Sequence, residues 1–130
     1  MKTIFSIIAL IVLALAVFFM TAKKKSSKAD TEVETFKQNY QNNPGLVIDV
    51  RTAGEFDQGH LKIADYNFDY LSGEFENKLS DLDKDQTYYL HCKTGNRSGQ
   101  AAEIMKKKGF QDVHNIGGFK DLVNAGFKAE

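Results

Sequence analysis

The chain's only cysteine lies in the stretch "LHCKTGNRSGQAA", residues 90–102. A cysteine kept for packing behaves as a small hydrophobe and belongs inside an apolar run. Cys92 instead stands where an apolar run gives way to Lys93, Thr94, Gly95, Asn96 and Arg97, ahead of a helix-forming run. These residue types suit an anion. Gly95 permits a positive φ, Asn96 tolerates the left-handed region better than most, and a turn of successive N–H groups makes an anion nest. Arg97, Ser98 and Gly99 begin a helix, whose first N–H groups lack intrahelical partners and form its positive end. Lys93 and Arg97 add full charges. A free thiol titrates near pH ~8.5, and helix N-termini with basic neighbours lower that value. The chemistry expected is that of a nucleophilic thiolate needing no histidine base, with Lys93, Thr94, Gly95, Asn96 and Ser98 around an anionic group.

The flanking pattern says what positions this loop. "LVIDV" (46–50) is a short β-branched run of the kind buried on both faces of a sheet. "DYNFDY" (65–70) alternates, and "TYYLH" (87–91) and "DVHNI" (112–116) also read as strands. Between them fall helical stripes: Val33, Phe36 and Tyr40, then Phe75, Leu79 and Leu82, then Ala101, Ile104 and Met105. Thr52 to Glu55 has capping-box spacing. Gly109 is placed to end the helix over 98–108, "GG" (117–118) reads as a turn, and "FKDLVNAG" (119–126) as a last short helix. Strands alternating with helices predict an α/β fold, a mostly parallel sheet with helices on both faces. Ligands then bind beyond the carboxyl ends of the strands, where Cys92 sits.

With 130 residues the chain is long enough for one domain with a real core. The charge is uneven. Lys2, Lys23, Lys24, Lys25 and Lys28 face no acid in the first 28 residues, whereas from Ala29 onward 17 acidic residues outnumber 12 basic ones. That balance argues against a nucleic-acid partner; Lys106, Lys107 and Lys108 read as the cationic end of a helix. Residues 4–20 hold no charge, and with their neighbours reach the ~20 residues of a membrane span. Met20-Thr21-Ala22 is a poor cleavage site. The expectation is one transmembrane helix (1–22, anchor or signal segment), a basic linker (23–30) and a domain over 31–130, anchored in a bacterial inner membrane. Flanking charge favours a cytoplasmic domain; a signal-like start favours export, so the periplasmic side stays open.

Three ordered stretches carry a resemblance. "HCKTGNRSGQAA", with "VIDVRTAGEFDQGHL" upstream and "GF..VHNIGGF" downstream, resembles the rhodanese-like domain over about residues 32 to 127. The resemblance implies a sulfurtransferase that takes a sulfane sulfur onto its loop cysteine as a persulfide and passes it to a thiophilic acceptor. Cys92 matches the nucleophile and Arg97 the loop-closing arginine, the two catalytic candidates. Backbone amides from Lys93 to Arg97 would form the cradle, and Asp49 and Arg51 match a strand end whose roles are mainly structural. Implied partners are thiosulfate or a persulfide as donor, and a thiol, cyanide or a protein sulfur acceptor. No cofactor is implied, and one cysteine with three scattered histidines lacks metal-ligand spacing. The sequence departs from the family at "GHLKIADYNF", with Ile63 where glycine is common, and after "GGF", where Leu122 or Val123 would fill the space of a tryptophan.

Other readings are weaker. His60, His91 and His114 read as structural, Tyr88 and Tyr89 as strand packing, and Glu55 with Arg51 as a structural ion pair. A phosphatase or arsenate reductase would use five residues between cysteine and arginine; here there are four, Lys93 to Asn96. A non-catalytic binding module has no need of the cysteine. A persulfide carrier has the same sequence features as a sulfurtransferase.

Overall fold

The computed structural model describes residues 2–21 and 27–130. Helix α1 (Lys2–Thr21) is followed by α2 (Lys28–Asn42), β1 (Leu46–Asp49), α3 (Ala53–Asp57), β2 (Tyr66–Asn67) and α4 (Glu74–Lys78). Then come a 3-10 turn (Leu79–Asp81), β3 (Thr87–Cys92), α5 (Asn96–Lys107), β4 (Asp112–Gly118) and α6 (Phe119–Asn124). The strands form one parallel sheet in the order β2-β1-β3-β4.

Alternation along the strands splits the core in two. Ile48, Tyr88, Leu90 and Cys92 pack with Phe75, Leu79, Ala101, Ala102 and Met105 of the α4 and α5 side. Val47, Tyr89 and Ile116 pack with Val33, Phe36 and Leu122 of the α2 and α6 side. Phe36 anchors that second layer, with ring centroids 5.0 Å from both Tyr89 and Phe127. Each large apolar side chain buried in this way contributes about 1.5–3 kcal/mol. Every side chain of β3 is buried, so the strand that ends at Cys92 is clamped on both faces. Leu122 is fully buried in the second layer with Val123 packed at its margin.

The elements differ from expectation in several places. The first domain helix starts at Lys28, inside the stretch expected to be linker. The alternating run at 65–70 pairs as a strand only at Tyr66 and Asn67. The Asn67 side chain donates to the carbonyls of Asp49 and Arg51, and past it the Phe68 and Tyr70 N–H groups donate to the carbonyls of Asp49 and Val50. The stripe Phe75, Leu79, Leu82 closes as a short α-helix tightened into a 3-10 turn, with Leu82 already extended. Cys92 is the last residue of its strand, and the helix after it begins at Asn96. Gly117 and Gly118 are not a turn: they pair with His91 and Cys92 after a register shift that leaves Ile116 as the extra residue of a bulge.

The side chains described in α1, residues 3–15, are exposed, with Phe5 at 76% and Leu10 at 65%. No helix among the described residues is long and apolar enough to cross a membrane. The remaining side chains of the expected span, 16–20, and the linker lysines Lys23, Lys24 and Lys25 lie outside those described.

Candidate active site

The site forms where β1 and β3 end side by side, joined by the Val50 N–H donating to the His91 carbonyl at 3.0 Å. From Cys92 the chain turns through Lys93 and Thr94 to Gly95, whose φ of 95° is left-handed. That conformation suits glycine. Asn96 is not left-handed: it is the first residue of α5, since among the described residues only glycines have positive φ. The turn folds the backbone around the sulfur. The Gly95 N–H donates to Cys92 Sγ at 3.0 Å, and Ser98 Oγ lies 3.4 Å from it.

Cys92 itself is fully buried. Burial pushes its thiol up; against that the Ser98 hydroxyl, then the backbone N–H groups of Ser98, Thr94 and Gly95, pull it down, and the net position is below the ordinary value. Hydrogen bonds to the charged form favour it. Hydrogen bonds thus outrank the expected charges of Lys93 and Arg97 in lowering it, while the Arg97 guanidinium still interacts with the sulfur electrostatically. Both Arg97 Nη atoms donate to the Glu55 carboxylate, at 2.7 and 3.0 Å, and Lys93 is an exposed residue at the wall of a neighbouring groove.

The ion pair expected between Glu55 and Arg51 does not form. Arg51 turns back on Asp49, its Nη2 2.7 Å from Oδ2 and its Nε 3.0 Å from both carboxylate oxygens. Its remaining reach goes to the Gly59 carbonyl and over the Phe119 ring, 4.3 Å from the centroid. Glu55 is thus left to serve two partners. It completes the capping box of α3 with Thr52, and it takes the Arg97 fork. The Arg97 guanidinium, ahead of the Thr52 contacts, holds the Glu55 carboxyl at about 2 despite the opposing effect of burial.

A residue that sequence reasoning passed over ties the loop together. Asn115 Nδ2 donates to the Gly95 carbonyl at 3.0 Å, and its Oδ1 accepts from the Ser98 hydroxyl at 2.8 Å and from the Gly117 N–H at 3.1 Å. Ser98 has one proton for two neighbours, Asn115 Oδ1 at 2.8 Å and Cys92 Sγ at 3.4 Å. The signal was present: a half-buried amide side chain within a strand needs partners. The glycines that follow explain the close fit. A Cβ on Gly118 would meet the Lys93 carbonyl oxygen at 2.7 Å, and one on Gly95 would meet Gly117 Cα at 3.2 Å.

Of the expected site residues, Cys92, Thr94, Gly95 and Ser98 converge on the sulfur. Arg97 braces the loop from outside, Lys93 faces the groove, and the exposed Asn96 meets Gln100 along α5 at 3.5 Å. The histidines stand apart, as expected. His91 is buried with its Nε2 unpartnered, 3.6 Å from Asp49 Oδ2; His60 stacks on Phe56; His114 binds Asp112.

A buried thiol at the end of a parallel strand, ringed by amides at a helix start, is the arrangement that the three sequence stretches implied. The family profile described as Rhodanese-like domain matches residues 32–125, and the chain belongs to that family. It is 31% identical over 97 residues to the "Putative sulfur carrier protein YrkF" of Bacillus subtilis, covering 74% of this chain and 51% of that one. The chain thus spans about half the length of that relative. It is 34% identical over 77 residues to the "Thiosulfate sulfurtransferase PspE" of Escherichia coli, 58% of this chain and 71% of that protein. The solved structure described as "rhodanese with anions from E. coli" aligns with a TM-score of 0.57 at 31% identity, covering 65% of this chain and 95% of that one.

Proposed function

We propose that the protein is a sulfurtransferase that moves a sulfane sulfur through a Cys92 persulfide. The observation that carries the reading is the donor set around one buried sulfur: the Gly95 amide at 3.0 Å, the Ser98 hydroxyl at 3.4 Å, and the amides of Thr94 and Ser98 that favour the thiolate. The thiolate attacks the outer sulfur of thiosulfate, a new S–S bond forms, the old one breaks, and sulfite leaves with the electron pair. The same amides then receive the persulfide anion, whose terminal sulfur carries the charge that Sγ gave up. A thiol or cyanide acceptor attacks that terminal sulfur and returns Cys92 as thiolate. The covalent intermediate splits transfer into two steps and requires ping-pong kinetics.

A second reading, a sulfur carrier that loads from a persulfide donor, is favoured by the name of the relative YrkF. One experiment separates the two. The full chain in detergent is incubated with excess thiosulfate and no acceptor, and its intact mass is taken. A sulfurtransferase gains one sulfur atom at Cys92, which cyanide removes; Cys92→Ser gains none. A carrier gains it rapidly only from a polysulfide or protein persulfide. Wild-type protein that gains sulfur from no donor defeats both.

We also propose that α1 holds the protein at a membrane. The exposed Ile4, Phe5, Ile7, Ile8 and Leu10 support this, because a contiguous apolar surface of that kind seeks lipid or a partner. The protein should pellet with membranes through a carbonate wash and be released by detergent; recovery in the soluble fraction, or a mature chain starting near Lys23, overturns it.

A further inference from the structure

Cys92 must reach a sulfur donor, yet its exposure is 0%. A nucleophile placed there works only through an opening. The groove of about 460 Å³ between α3 and α6 is not that opening. Lys93, Glu55 and Phe119 line it and Cys92 does not. The reason is alternation along β3, which turns the Cys92 side chain to the opposite layer, with Phe75 and the helix α5. On that side Cys92, Val50 and Phe75 share one cluster, and the half-buried Tyr70 packs at its margin.

Tyr70 spans the two elements that flank the sulfur. Its backbone N–H donates to the Val50 carbonyl at 3.1 Å, and Val50 in turn donates to the carbonyl of His91, one residue before Cys92. Its hydroxyl donates to Gln100 Oε1 at 2.9 Å. Gln100 lies two residues beyond Ser98 in α5, and its amide reaches Asn96 Oδ1 at 3.5 Å, at the start of that helix. The side chain thus runs from the end of β1 to the first turns of α5. What surrounds it is unevenly fixed. The sulfur loop is pinned by Asn115, by the close approach of Gly95 to Gly117 and by the Arg97–Glu55 pair. The Tyr70–Gln100 bond is exposed, so water competes for both partners. The Tyr70 ring leans on Phe75, with 6.3 Å between centroids.

We propose that the Tyr70 side chain is the gate of the sulfur site and that Gln100 is its latch. When the hydroxyl bond to Gln100 breaks, the ring turns outward while the bond to Val50 keeps the backbone in place, and Sγ is uncovered. The inference rests on the persulfide reading above and assigns the control of access to its nucleophile. A close-packed interior has no room for an added atom beside a fully buried sulfur. The terminal sulfur of the persulfide therefore takes the space that the ring vacates, and the closed gate shields the free thiolate from stray electrophiles.

The test reads access directly and does not depend on sulfur transfer. Cys92 is the only cysteine, so intact mass of the full chain in detergent follows its alkylation by iodoacetamide. The rate is taken on the alkaline plateau, where the thiol is fully ionised. Tyr70→Phe removes the donor and Gln100→Leu the acceptor. Each should raise the plateau rate about fivefold, the factor that one net hydrogen bond is worth. The double variant should be no faster than either single one, because both break the same bond. Gln100→Glu keeps an acceptor and should stay within about twofold of wild type. The pH midpoint of alkylation should be the same in wild type, Tyr70→Phe and Gln100→Leu, which separates access from thiol acidity. Plateau rates less than about twofold above wild type in Tyr70→Phe and Gln100→Leu overturn the proposal. So does a midpoint that moves with the rate, or a rise in Gln100→Glu equal to that in Gln100→Leu. A wild-type rate that climbs steeply with urea below the unfolding transition overturns it too, since Cys92 would then be reached by global unfolding and not by a local opening. A chain that alkylates as expected but never takes up sulfur defeats the persulfide reading and leaves the gate standing.

Discussion

Strands β1 and β3 end next to each other, and each hands over to a loop and a helix, but the two ends are built from different materials. The end of β1 is closed by charge: Asp49 and Arg51 are 0% and 5% exposed and bonded to each other. The end of β3 is closed by dipoles: amides and one hydroxyl gather on Cys92, and no counter-charge touches it. The difference follows from what each must do. A fixed ion pair holds one geometry and has nothing left to bind with, whereas amide donors can receive a negative sulfur, and then a negative persulfide, without being consumed. Two cations near the loop, Arg51 and Arg97, are each paired with a carboxylate of the β1 side, so at the sulfur the hydrogen-bonding dipoles lead and the paired charges chiefly serve the scaffold.

The largest effect should come from breaking the closed end. Arg51→Met keeps the bulk of the side chain but leaves the Asp49 carboxylate buried opposite the unpartnered His91 Nε2. Removing one partner of a buried pair costs about 3–5 kcal/mol. Urea unfolding in detergent should report a loss of that size. A loss below ~1 kcal/mol would mean water reaches Asp49 and the end is not closed.

The second effect concerns Arg97, and its sign decides between charge and brace. If the Arg97 charge acted on the thiolate, Glu55→Gln would release that charge and lower the Cys92 pKa. If the pair braces the loop, Glu55→Gln loosens the turn, lengthens the amide contacts and raises it. We expect the second. Arg97→Ala should raise it too, and the double variant should be no worse than either single one, as for residues acting as a unit. Sulfur transfer should fall by about tenfold in each, less than the ~10²–10³ of a lost direct donor. The pH profile of iodoacetamide alkylation of Cys92 reads the direction; opposite shifts in the two variants would restore a direct role for the charge.

How much of this was legible in the sequence follows the same division. The dipole end was readable, because glycine, serine and a lone cysteine ahead of a helix specify local backbone geometry, and local geometry is what short-range patterns encode. The alternation of strands and helices and the Thr52–Glu55 capping box were readable for that reason too. The charged end was misread. Glu55 lies four positions from Arg51 and 42 from Arg97, and sequence spacing favours the nearer partner, yet Arg51 turns back to Asp49 inside the sheet. Asn115 was missed, and the paired glycines were read as a turn, for a related cause. Their task is to let β4 lie flush against a loop about 20 residues earlier, a contact that exists only once the sheet has formed.

The smallest effect separates the two ends by pH. His91 and Glu55 are both shifted in the folded protein, and the directions give two windows. Burial, outweighing the nearby Asp49 carboxylate, holds the His91 imidazole below its ordinary value of 6.5. The unfolded chain therefore gains a proton first, and stability is lost as pH falls below about 6.5. Glu55 is held at about 2 against an ordinary 4.5, so its contribution is complete above 4.5 and is lost as pH falls from there toward 2. With its side chain 29% exposed, solvent screening keeps that contribution to about 1 kcal/mol or less. The measurement is the difference in unfolding free energy between wild type and Glu55→Gln, in which His91 cancels. That difference should be flat from pH 7 to 5 and shrink below 4.5. A difference that instead shrinks between pH 7 and 5 would mean the Glu55–Arg97 brace is coupled to the His91 end, and the two strand ends would have to be treated as one unit.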